Sequence, residues 1–244
     1  MKALRTWLLL CLLAFVGLQL FFVLRVASMA WLAPESTSFE RSQIWQIVQR
    51  TQRLPWRQDW KNLNDISKHL QRAVIASEDD VFASHSGIRW DAVEKAWDKN
   101  SKAQARADRQ AQHRPDKPAP QAKVVGGSTI TQQLAKNLFL SGERNLLRKG
   151  QEMLLTQMLE VLLPKRRILE IYLNSVEWGA GVFGAEAAAR HYFNKPASAL
   201  NAWEASRLAV MLPRPKYFEK LPQSTYLQGR AEVIMGRLPS AVLP

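Results

Sequence analysis

An uncharged run from Thr6 to Leu24 constrains this chain more than any other feature. At ~1.5 Å of rise per residue, a helix of that length matches the ~30 Å hydrocarbon layer of a bilayer, so the run predicts one membrane crossing. Lys2 and Arg5 precede it. By the positive-inside rule the short amino end stays in the cytoplasm and everything after Arg25 is carried across. The competing reading is a cleaved signal peptide, whose apolar stretch is ~7 to 15 residues long and ends at a small-residue site. Here the run is longer and Arg25 interrupts its exit, so residues 1–33 read as a cytoplasmic stub and an uncleaved anchor. Cys11 lies inside the run as a membrane-buried thiol. A lone cysteine excludes an internal disulfide framework and a Cys-rich zinc module.

Residues 34–244 read as one domain beyond the membrane. The composition, 47% hydrophobic and 23% charged, is globular and excludes a chain disordered throughout or a low-complexity polymer. No internal repeat appears, and few alternating apolar runs argue for strands. Helical spacing dominates: Leu63, Ile66, Leu70, Ala73 and Val74 share one stripe, and Leu154, Met158 and Leu162 another. The domain is therefore expected to be mainly α. Residues 99–123 stand apart, rich in Ala, Gln, Lys and Arg and ending in Pro115, Pro118 and Pro120, and they read as a flexible basic insertion. Seven Lys/Arg against two Asp place +5 of the net +13 there. Such a run is ordinarily a solvated face, with attraction to anionic lipid head groups the weaker reading. Nucleic acid is a poor partner, because the anchor removes the domain from it and no aromatic-basic recognition motif appears.

Three segments concentrate polar groups beyond what a core needs. In the first, Glu78, Asp79 and Asp80 follow an apolar helix expected to end near Ser77. A carboxylate at the edge of an apolar wall, crowded by like charges, is pushed toward the range useful for general acid or base work. The bland reading is that the acids merely cap the helix. His85 alone reads as a hydrogen-bonded structural histidine, since no second His or Cys lies at metal spacing.

The second segment, Gly126 to Asn137, is a glycine loop feeding a helix, with Thr129 and Gln132 in the capping-box pattern. Ile130, Leu134 and Leu138 form its buried face. Thr129, Gln132, Gln133 and Lys136 share the opposite stripe, which suits an anionic, hydroxyl-rich ligand near a helix amino terminus. A plain solvent-exposed face is the alternative. In the third segment Arg144, Arg148 and Glu152 recur every four residues. They form either a surface ion ladder or, with Lys136, a clamp for a diphosphate.

Together and in this order, these segments resemble the peptidoglycan glycosyltransferase family. Glu78, Asp79, Phe82, His85 and Gly87 meet one family motif, and Gly126 to Asn137 meets a second without exception. Arg148, Lys149 and Glu152 meet a third. A fourth runs from Glu170-Ile171-Tyr172-Leu173-Asn174 through Gly184 to Tyr192-Phe193. Two departures stand out: Asp91 follows Gly87 at an unusual spacing, which leaves its role open, and the basic insertion is longer than typical.

The resemblance implies a lysozyme-like glycosyltransferase domain behind one transmembrane helix. It also implies polymerisation of lipid II by inverting attack of a GlcNAc 4-hydroxyl on the MurNAc C1 of a lipid-pyrophosphate-linked chain. Glu78 would be the base. Lys136 and Arg144 would hold the pyrophosphate with Arg148 beside them, Ser128 and Gln133 would contact the donor with Thr129 and Gln132 on the same stripe, and Phe82 would line the cleft. Glu152 joins the catalytic set by orienting the cations, since a carboxylate between two arginines should stay ionised. A divalent cation such as Mg2+ at the pyrophosphate is implied as well, although the sequence shows no carboxylate cage. Expected partners are lipid II, the growing lipid-linked glycan, membrane lipids and other cell-wall synthases, at the bacterial inner membrane with the domain in the periplasm. Rival readings are a muramidase or lytic transglycosylase and a non-catalytic membrane-anchored scaffold. A hydrolase of uncharged glycosidic bonds has no use for the Lys136/Arg144 clamp.

Overall fold

The computed structural model describes residues 2–54, 56–91, 94, 95, 98, 101–103, 105, 106, 127–140 and 146–244. Arg144, Gly126 and most of the 99–123 insertion lie outside the described residues. The chain begins with α1 (Lys2–Ser28), α2 (Ser38–Thr51) and α3 (Lys68–Glu78). Then come α4 (Ile130–Phe139), α5 (Leu146–Leu162) and α6 (Lys165–Ser175). A two-stranded antiparallel hairpin, β1 (Glu177–Gly179) and β2 (Val182–Phe183), leads into α7 (Ala185–Phe193). The chain closes with α8 (Ala202–Met211), the short α9 (Pro215–Glu219) and α10 (Thr225–Arg237). The domain is mostly helical, as its periodicity predicts.

The most apolar stretch of α1 buries nothing within the fold and is long enough to cross a membrane. Its last turns behave differently. Gln19, Phe22, Val23, Val26 and Met29 recur every three or four residues and turn one face to the domain, with Val26 and Met29 inside the core. Phe22 meets the edge of Phe139 with ring centroids 5.3 Å apart. Arg167 donates to the carbonyls of Met29 at 2.7 Å and Leu32 at 3.0 Å, fixing the chain where it leaves the helix.

Two helix groups share one core. In one, α3, α8 and α10 pack together; in the other, α4 packs on α2, α5 and α6. The segment entering α3 is held by two α6 side chains from the fourth sequence motif. Asn174 brackets Lys61, accepting from its N–H at 2.8 Å and donating to its carbonyl at 2.8 Å, while Glu170 accepts the Leu63 N–H at 2.9 Å.

All five residues of the first apolar stripe are buried, at 2% exposure or less. Yet α3 starts only at Lys68, because Leu63–Asp65 is a 3-10 turn and the Ser67 hydroxyl accepts from His69 N–H and restarts the backbone as an α-helix. The second stripe is corrected by one position. Leu155, Leu159 and Leu163 are buried while Leu154 is exposed, because α5 turns toward α4 the edge that also carries the buried Glu152 and Thr156.

The Glu40 carboxyl lies in the core and is held by neutral groups. Glu40 is fully buried and closes a capping box, its Oε2 accepting the Thr37 N–H at 2.7 Å and its Oε1 the Gln58 amide at 3.2 Å. Burial pushes its pKa from 4.5 up to about 7, against the pull of those hydrogen bonds and the Arg41 charge. Since the folded value lies above the unfolded one, the folded state takes up a proton. Stability from this group is complete below the unfolded value and is lost as pH rises through about 7. A shift of that size corresponds to about 3 kcal/mol between the two limits. Glu40→Gln should therefore flatten the fall in stability between pH 5 and pH 8, as read from denaturant unfolding at both values; an unchanged slope would show that the titration lies elsewhere.

Candidate active site

The site is built where the end of α3 meets the beginning of α4. Asp79 follows α3 directly, and only 4% of it is exposed. Its Oδ2 accepts the backbone N–H of Ile130, the first residue of α4, at 3.1 Å. A carboxylate there satisfies an amide that the helix itself cannot and lies favourably in the positive end of the helix dipole. The same carboxylate takes the His85 Nε2 hydrogen at 2.9 Å, and His85 Nδ1 accepts the Gly87 N–H at 3.0 Å. Those two contacts assign the ring to the tautomer protonated at Nε2. His85 is thus the hydrogen-bonded structural residue its isolation in the sequence suggested, and Asp79 is the strap that joins the two helices.

Thr129 and Gln132 form the expected capping box: the Thr129 hydroxyl accepts from Gln132 N–H at 3.2 Å and the Gln132 amide oxygen accepts from Thr129 N–H at 3.0 Å. Both side chains are buried, each at 2% exposure. Thr129 also donates to the Gly87 carbonyl at 2.6 Å. The structure thereby divides the polar stripe read from the sequence, since Thr129 and Gln132 serve the fold, Gln133 is half-buried and Lys136 is exposed. Ser128, just ahead of the cap, is exposed.

Gln133 is the hinge of the site. Its Nε2 donates to Glu78 Oε2 at 3.0 Å, and its Oε1 accepts the Tyr172 hydroxyl at 3.0 Å. Burial raises the Glu78 carboxyl above its usual range, and the neighbouring Asp79 charge adds to the rise; the hydrogen bonds from Gln133 and Ser77 pull back part of it. Tyr172 is fully buried, and burial first and the Glu78 and Asp79 charges second raise its pKa well above the ordinary value. A phenol held protonated in this way is a dependable donor, so it fixes the Gln133 amide with its NH2 toward Glu78. Sequence reasoning quoted Tyr172 in a motif but gave it no role. The available signal was a lone hydroxyl on the otherwise apolar face of Ile168, Leu169 and Ile171, all fully buried.

Lys136 is exposed one turn beyond Gln133 on α4, within ~6 Å between Cβ atoms on a helix surface. On α5, Glu152 is 3% exposed and accepts from Arg148 at 3.2 Å and from Lys149. It organises the cations rather than facing an open surface. Thr131 on α4 donates to Glu160 on α5 at 2.5 Å, and Lys165 bonds the same Glu160 oxygen at 2.8 Å. Phe82, expected on the cleft wall, is fully buried, with the Lys165 ammonium 4.5 Å from its ring centroid. Asp91 receives Arg89 at 3.3 Å, as Asp80 does at 2.8 Å.

Gly87 lets the loop after α3 lie flat on α5. Its φ of +89° favours glycine, and a Cβ there would stand 2.7 Å from Glu160 Cγ and 2.9 Å from Thr156 Cγ2. Among the described residues no three His, Cys, Asp or Glu side chains converge on a metal-binding point. The chemistry available is a desolvated carboxylate, aimed by an amide and a phenol, with ammonium and guanidinium groups on two packed helices.

A family model described as Transglycosylase matches residues 46–239. A biosynthetic peptidoglycan transglycosylase of Burkholderia thailandensis is 50% identical over 231 residues, covering 95% of this chain and 84% of its own. Proteins of the same description from Burkholderia orbicola and Burkholderia multivorans are each 48% identical, covering 95% of this chain and 87% of their own.

Gly87→Ala should cost about 1–3 kcal/mol, the range for a residue forced into a sparsely populated backbone region against packed neighbours. Thermal unfolding checks this directly; an unaltered transition would mean that the loop shifts freely on α5.

Proposed function

The chain belongs to the transglycosylase family and is a peptidoglycan glycosyltransferase, and we propose that it polymerises lipid II into glycan strands with Glu78 as the base. The observation that carries this reading is the Tyr172–Gln133–Glu78 chain, with Lys136 one turn further along the same helix. Pyrophosphate is a good leaving group, so the reaction needs a base for the attacking hydroxyl and cations for the charge that gathers on the departing oxygens. Glu78 takes the proton of the GlcNAc 4-hydroxyl as its oxygen bonds to C1 of the lipid-linked MurNAc. The bond from C1 to the pyrophosphate oxygen breaks on the opposite face, its electron pair leaving with undecaprenyl pyrophosphate, and the configuration inverts.

Lys136 and Arg148 supply positive charge to that leaving group, and Arg144 is assigned the same role by its place in the sequence pattern. Ser128 and Gln133 face the donor. Glu152 acts through Arg148 and Lys149, fixing where their charges stand. Thr129, Gln132 and Phe82 support the site from behind. Among the described residues the donor set does not fit a resident metal; a divalent cation such as Mg2+ would arrive with the pyrophosphate it neutralises.

The anchor suits a substrate held in the membrane by a polyprenyl tail. Retention of α1 is supported by Val26 and Met29, which belong to the core and would be lost with a cleaved leader. Lys2 and Arg5 ahead of the span support, by the positive-inside rule, a domain in the periplasm against the inner membrane.

Glu78→Gln should abolish polymer formation from lipid II while leaving the unfolding transition intact, since the amide still fits beside Gln133. Because burial raises the Glu78 carboxyl, the wild-type rate should climb with pH through a value above the ordinary carboxylate range. Polymerisation by Glu78→Gln, or soluble fragments from intact sacculi with no polymer from lipid II, would refute the assignment and favour the muramidase reading. Chelation by EDTA should leave the unfolding temperature unchanged, whatever its effect on turnover; a lowered temperature would reveal a resident ion.

A further inference from the structure

Of the polar side chains in the uncharged run of α1, Thr6 is satisfied by its own helix, donating to the Lys2 carbonyl at 3.1 Å. Gln19 is satisfied by another. Its amide and that of Gln151 on α5 form a reciprocal pair, each donating to the other at 3.2 Å. A primary amide between Leu18 and Leu20 is costly in hydrocarbon unless it finds such a partner.

The placement of that partner is informative. Gln151 precedes Glu152, the buried acceptor of Arg148 and Lys149. One turn after Gln19, Phe22 packs edge-on against Phe139, three residues beyond Lys136 at the end of α4. The same face of α1 therefore touches both helices that carry the cations. A rotation of α1 by a single residue, ~100°, would break both contacts.

We propose that Gln19 and Gln151 are positioning residues for the transfer reaction: their amide pair locks α5 to the membrane helix and thereby sets where the pyrophosphate-binding cations stand. This rests on the reading of the site given above. Cations act on a leaving group in proportion to how well they are fixed in advance. The anchor then shapes the site in addition to holding the enzyme at the bilayer.

The test uses the full-length protein in lipid vesicles, with lipid II as substrate and three variants: Gln19→Leu, Gln151→Leu and both together. Interhelical amide bonds in membranes predict a loss of about threefold to fifteenfold in kcat/KM for each single variant, mostly through a lower kcat. The double variant should be no worse than the poorer single one, with unfolding temperatures unchanged throughout. Wild-type kcat/KM in either single variant, losses that multiply in the double, or a loss that tracks a lowered unfolding temperature would each overturn the proposal. Should Gln151→Leu fail to fold, Gln19→Leu decides alone, since leucine matches its neighbours in the span. Glu78→Gln in the same assay separates the two readings, because activity there would remove the base assignment while the glutamine variants still judge the anchor.

Discussion

Two helices far apart in the chain meet because one carboxylate receives hydrogen bonds from both sides of the junction. Asp79 closes α3, takes the first amide of α4 and holds His85, which in turn holds Gly87. Remove that carboxylate and the Ile130 amide, the His85 ring and the Gly87 turn all lose their common point. Everything chemical in the site is registered from it: Gln133 lies one turn into α4 because the helix begins where Asp79 fixes it, and Glu78 is the residue immediately before. Neighbouring acids thus divide the labour, one spent on assembly and the other left with its proton affinity raised.

That division bears on the proposed base, a single carboxylate at the edge of a core. Burial raises the affinity of Glu78 for a proton, and the Asp79 charge adds to it, so the group is more basic than a solvated carboxylate. Gln133 offsets part of the rise and gives the carboxylate a direction. Tyr172, too deeply buried to ionise readily, keeps Gln133 from turning over. The cations stand on α4 and α5, whose mutual packing is pinned by Thr131, Glu160 and Lys165. Glu78, Lys136 and Arg148 therefore stand on helices that are packed and hydrogen-bonded to one another.

The sequence disclosed the buried face of α4 because Ile130, Leu134 and Leu138 are aliphatic and evenly spaced, and all three are buried. It disclosed α5 only to within a residue, since apolar side chains surround much of that helix and periodicity cannot choose which edge the neighbours cover. The polar stripe of α4 misled in part: a helical wheel gives angle but not depth, and the capping box draws Thr129 and Gln132 inward. Phe82 was recognised as a motif residue, but its burial beneath Lys165 depends on a helix that comes more than eighty positions later. The Thr37 and Glu40 capping box went unread in the sequence, and no local pattern reveals that Gln58 and the surrounding fold bury that carboxylate completely.

The final turns of α1 belong to the hydrophobic interior, through Val26 and Met29, and the strand of chain beyond them is gripped by Arg167. A soluble fragment cut at the predicted lipid boundary, just after Leu24, would retain those two residues but strip them of the preceding helical turns that hold their backbone in place. Cutting a few residues later would open a hole beside α6. Any water-soluble version of this protein must therefore carry a short apolar stub, and with it a tendency to bind detergent or to self-associate.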